Sequence, residues 1–143
     1  MAAQRQRGSG ERRGLLADQQ PAWDRAPPQA TPCVAGFAGS YPCENVDLLA
    51  FMPLATFGAS SGNDSWGWTD PLSGKEYALM GLNNGTGFVD ISDPENPIYL
   101  GKLPTRTSNS TWRDIKVYNN YAFIVSEAGS HGMQVFDLTQ LRN

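Results

Sequence analysis

A repeat inside the chain constrains its fold more than any other feature. Tyr77-Ala78-Leu79 recurs as Tyr121-Ala122-Phe123, 44 residues later, and Trp68-Thr69-Asp70 recurs as Trp112-Arg113-Asp114 at the same offset. Gly85–Ser92 lines up with Gly132–Thr139 at an offset of 47. The slip falls between strands, where a loop absorbs it. Each unit holds short β-type runs, in the second Ile115–Tyr118, Tyr121–Ser126 and Met133–Leu138. Turn chemistry separates them: Asn119-Asn120, Asn83-Asn84-Gly85, and Asp93-Pro94-Glu95-Asn96-Pro97 ahead of Ile98–Leu103. No stretch has helical periodicity. Short strands repeating every ~40–50 residues predict propeller blades.

A further echo concerns the start. Glu44-Asn45, Leu49, Met52 and Pro53 match Glu95-Asn96, Leu100, Leu103 and Pro104 at an offset of 51. This predicts an outer strand over Leu48–Phe57 that closes a ring by completing its last blade. The fold class expected is all-β, a partial propeller of about two blades plus that closing strand. Two units cannot close a ring of typically four to eight blades. The expectation is therefore an N-terminal piece of a longer propeller that requires further blades.

Composition divides the chain. Residues 1–30 carry five arginines against three acidic residues, with few apolar side chains and no period, and are expected to be a disordered basic leader. Residues 31–143 carry six basic and eleven acidic residues and are expected to be the propeller part. That acidic balance argues against nucleic acid as a partner. No run of about 18 apolar residues exists to cross a membrane. The leader offers only Leu15-Leu16-Ala17 as an apolar centre, which is no convincing secretory signal.

Other features point outside the cell. Cys33 and Cys43, the only cysteines, flank a Gly/Pro-containing loop that can bring them together, and such a pair persists as a disulfide only in an oxidising compartment. Asn63, Asn84 and Asn109 each begin an N-x-[ST] glycosylation sequon.

The runs Asn63–Pro71, Glu76-Tyr77-Ala78-Leu79 and Gly87–Pro94 resemble the choice-of-anchor B family, surface proteins built from LVIVD-type repeats. So do Trp112–Tyr118, His131–Leu138 and the opening Tyr41-Pro42-Cys43…Asn45–Leu49, so that the resemblance covers roughly Cys33 to Asn143. It implies an exported propeller held at a surface by a C-terminal anchor, and no particular activity.

Residues able to carry chemistry are few. His131 is the only histidine and sits in a Gly-rich connection beside Glu127 and Ser130, a grouping that matches no nucleophile motif. Asp90 and Asp93 are the best-placed pair for a cation, although the D-x-D-x-D-G pattern is missing and no metal is expected. Asp90 with Asp137, and Asp70 with Asp114, occupy repeated positions, which predicts a repeated structural task such as bonding turn amides. Trp68 and Trp112, also repeated, are expected in blade cores; Trp66 has no such match and is the better candidate, with His131, for ligand contact. No cofactor is expected. The leading functional expectation is an extracellular or cell-surface propeller segment serving adhesion, scaffolding or binding of a protein or glycan. The alternative is part of a propeller hydrolase or lyase with an acidic/His site lining the channel, which only the fold class supports.

Overall fold

The computed structural model describes residues 30–142. All but the last residue of the expected leader, and Asn143, lie outside them. β-Branched and aromatic runs broken by Asn, Gly and Pro give nine antiparallel strands among the described residues: β1 Phe37–Ala38, β2 Tyr41–Pro42, β3 Gly62–Thr69, β4 Glu76–Leu82, β5 Gly85–Asp90, β6 Ile98–Pro104, β7 Arg113–Tyr118, β8 Tyr121–Ser126 and β9 Met133–Asp137. β3-β4-β5-β6 form one four-stranded sheet, the first blade, and β7-β8-β9 a three-stranded one, the second. The fold is all-β and has the form of a partial propeller. Asn83-Asn84 and Asn119-Asn120 make the tight turns expected of them, with Asn119 at φ 51°.

The pleat sorts each blade into two faces. In the first, Trp68, Tyr77, Leu79 and Phe88 point downstream and meet Ile115, Ala122, Ile124 and Leu138 of the second, forming one buried cluster. Trp68 stacks on Tyr77 and Phe88 on Phe136, with ring centroids 5.2 and 4.5 Å apart. Each such side chain, fully buried, contributes roughly 1.5–3 kcal/mol. This seam is the main core.

The upstream face of the first blade carries a second cluster, Phe57, Leu82 and Val89, with Met52, Leu54, Met80 and Tyr99 against it. Here the expectation of an outer strand over Leu48–Phe57 fails. Leu48 makes an isolated bridge to Thr31, and Leu54–Phe57 is a 3-10 turn ended by Gly58 in the left-handed region. The segment pairs with none of the strand edges among the described residues; it lies as a strap and buries its apolar side chains across the blade. Gly87 makes that possible: a Cβ there would come within 2.8 Å of the Phe57 ring. The N-terminal loop is joined by the Cys33–Cys43 disulfide.

Candidate functional site

The strand registers correct the repeat alignment. Tyr77 pairs with Trp68 and Asp90, whereas Tyr121 pairs with Tyr118 and Asp137. The offsets of 44 and 47 therefore hold for the second and third strands, but β3 maps onto β7 at 50. Trp68 corresponds to Tyr118, not to Trp112, and Asp64, not Asp70, corresponds to Asp114. The cause is the connection between the first two strands of each blade: eight residues (69–76) separate Trp68 from Tyr77, and two (Asn119-Asn120) separate Tyr118 from Tyr121. Trp112 is accordingly outside the core, 58% exposed.

Where the inner strands meet, polar side chains clasp backbone. Asp64 Oδ2 accepts the Ile115 N–H at 2.8 Å, and the Asn63 amide donates to the Arg113 carbonyl at 3.1 Å. Lys116 Nζ sits 3.7 Å from Asp64 and 4.4 Å from the Trp66 ring centroid. Trp66, the expected ligand contact, is thus capped on one side by a cation.

Arg113 is the largest fully buried side chain among the described residues. Its Nε donates to the Leu82 carbonyl (3.0 Å), Nη2 to Thr105 Oγ1 (2.9 Å) and Nη1 to His131 Nε2 (3.2 Å). Among the described residues no carboxylate pairs with it. Burial pulls its pKa down from the ordinary value, but a guanidinium stays charged. Arginine only donates, so His131 Nε2 accepts, and Nδ1 carries the proton to the Gly132 carbonyl at 2.9 Å. His131 is buried with both nitrogens engaged. It orients the arginine that ties the second blade to the first. Sequence reasoning missed Arg113, because a basic residue at a strand start carries no sign of burial.

The acidic candidates are occupied as well. Asp90 Oδ1 accepts the Ser92 amide and Oδ2 meets Lys75 Nζ at 3.0 Å; Ser92, then Lys75, lowers its pKa. Asp93 is lowered by the Asn96 amide and the Glu95 N–H, which bond its two oxygens. Asp137 accepts the Thr139 amide as Asp90 accepts that of Ser92, so this pair does share one structural task. The Asp70–Asp114 pair does not. Asp70 is fully buried and clamped by Arg142 through Nη2 at 2.6 Å and Nε at 3.0 Å. That pairing, with Ser73 and the Leu72 amide, holds its carboxyl well below the usual range against the opposing effect of burial. Asp114 is exposed. Among the described residues no three His, Cys, Asp or Glu side chains gather as metal ligands.

Of the sequon residues, Asn84 is engaged on both sides, donating to the Gly58 carbonyl and accepting from Lys102. Asn63 is held by Arg113, and Asn109 is exposed on the connection between the blades.

Two apolar surfaces near the blade faces stand open among the described residues. The downstream face of the second blade exposes Tyr118 (71%), Tyr121, Val125, Met133 and Val135. Beside it, Trp112, Asp114 and Glu127 line a pocket of about 360 Å³. On the other side, an apolar groove of about 470 Å³ runs between the strap and the first blade, lined by Leu49, Met52, Ala78, Met80, Val89 and Ile91 among others.

The LVIVD repeat family model matches residues 72–105 and 111–130, one stretch in each blade. The chain thus carries LVIVD repeats. No curated protein and no solved structure matches it.

Proposed function

We propose that this chain is part of an exported or cell-surface propeller that works by binding, in adhesion or scaffolding, and that its working surface is the open face of the second blade. The observation that carries this reading is the apolar ladder Tyr118–Tyr121–Val125–Val135, exposed where the same positions of the first blade are buried. Contiguous apolar surface of this kind marks an interaction site. The catalytic alternative loses its histidine, because His131 is buried and both its nitrogens are committed. The resemblance to the choice-of-anchor B family, the LVIVD repeats and the disulfide support export, and residues 1–30 are proposed as a leader preceding the propeller part, 31–143. The disulfide and the exposed Asn109 fit an oxidising, glycosylating route.

The test is the state of Cys33 and Cys43 in cells expressing the full chain, with a tag exposed to protease on intact cells. Export predicts blocked thiols and tag removal. Thiols open to alkylation, with a protected tag, would refute it. A Val135→Asp chain should keep its fold and lose apolar dye binding; unchanged binding would remove the proposed working surface.

A further inference from the structure

The blade–blade seam has two halves, and an unpaired example of each half stands on this chain. The downstream half, in the first blade, is Tyr77, Leu79 and Phe88, closed over by the second blade. Its register counterparts are Tyr121, Phe123 and Val135, which face outward. The upstream half, in the second blade, is Ala122, Ile124, Phe136 and Leu138. Its counterparts in the first blade are Ala78, Met80, Val89 and Ile91, and all four line the 470 Å³ groove that the strap leaves unfilled. The polar clasp repeats too. Asp64 receives the Ile115 N–H of the following inner strand, and Asp114 stands at the matching place, exposed beside the open face.

From this we propose that a second copy of the chain docks head to tail, the downstream face of its second blade entering the groove of the first blade. The proposal rests on the binding reading above and names the partner. The contact is heterologous: the two surfaces differ, so each copy keeps one of each free for a further copy. The surfaces are a continuation of the seam within the chain, with apolar residues at the same ladder positions. A symmetric pairing of two downstream faces would instead set Tyr121 and Val135 against their own kind and leave the groove empty.

The experiment is sedimentation velocity on the full chain from ~1 to ~100 μM, the range in which modest interfaces assemble. Self-association into discrete species of two or more copies is expected. Val135→Asp on the open face and Leu49→Asp at the groove each change an exposed side chain and should weaken association by at least ~10-fold. Mixed in equal amounts, the two variants should recover a two-copy species, because each supplies the surface the other lacks. Near-ultraviolet circular dichroism of the Trp68–Tyr77 stack verifies that both remain folded. A monomer at every concentration, or a mixture that recovers nothing, overturns the proposal. A monomer whose apolar dye binding is abolished by Val135→Asp would refute the second copy while leaving the binding face intact. A monomer that binds no dye would refute both.

Discussion

The two blades share a repeat and differ in what covers them. Tyr77, Leu79 and Phe88 are at most 3% exposed, whereas their counterparts Tyr121 and Val135 are 46% and 52% exposed. The residue types are similar and the ladder positions the same. Burial here is therefore set by the neighbouring layer, and the sequence of a blade does not contain it. The first blade is covered by the second blade on one face and, outside the groove, by the strap on the other. The second is covered on one face and open on the other.

The comparison is broken most severely by paired truncations. Phe88→Ala should cost about 3–5 kcal/mol in urea unfolding of the full chain at a concentration where it is monomeric, and Val135→Ala under about 1 kcal/mol. Equal losses would show that the second face is covered. Next in size is the Arg113 node. His131→Ala removes the acceptor of a buried guanidinium and should cost about 1–3 kcal/mol by the same measurement. No loss would show that another acceptor serves Arg113. The clasp gives a smaller contrast: Asp64→Ala should cost about 1 kcal/mol and speed amide exchange at Ile115, while Asp114→Ala leaves the monomer's stability unchanged. Loss at Asp114 alone would reverse the assignment of the open side.

The smallest effect is one of pH. Folding holds Asp70 ionised to lower pH than the unfolded chain does. Its contribution is complete above the unfolded value, about pH 4, and is lost as pH falls toward the folded value. Asp70→Asn should flatten the decline of the urea midpoint below about pH 4. A parallel, undiminished decline would show that the pairing with Arg142 is not formed in solution.

Strand positions were legible because each strand alternates and each break is an Asn, Gly or Pro. Ile98–Leu103 was rightly expected as an outer strand, and Asp90 and Asp137 as turn ligands. The match of Trp68 to Trp112 misled because the longer first turn moves the register of β3 without disturbing the Trp-x-Asp letters. The strap was unreadable for a related reason: Leu49, Met52 and Pro53 echo a strand, but a strand also needs an edge to pair with. Arg113 and His131 gave no local sign, since they bond each other across 18 residues and Arg113 reaches Leu82, 31 residues away. The disulfide was legible from the cysteine count; the open face, which depends on the next layer, was not.

Hydrogen exchange on the dilute full chain tests most directly whether the neighbouring layer decides burial. Amides of Tyr77–Leu82 and Gly85–Asp90, in the two central strands of the first blade, should exchange slowest. Those of Met133–Asp137, at a sheet edge with one face open, should exchange faster by orders of magnitude. Equal protection in the two blades, or rapid exchange throughout, would contradict it.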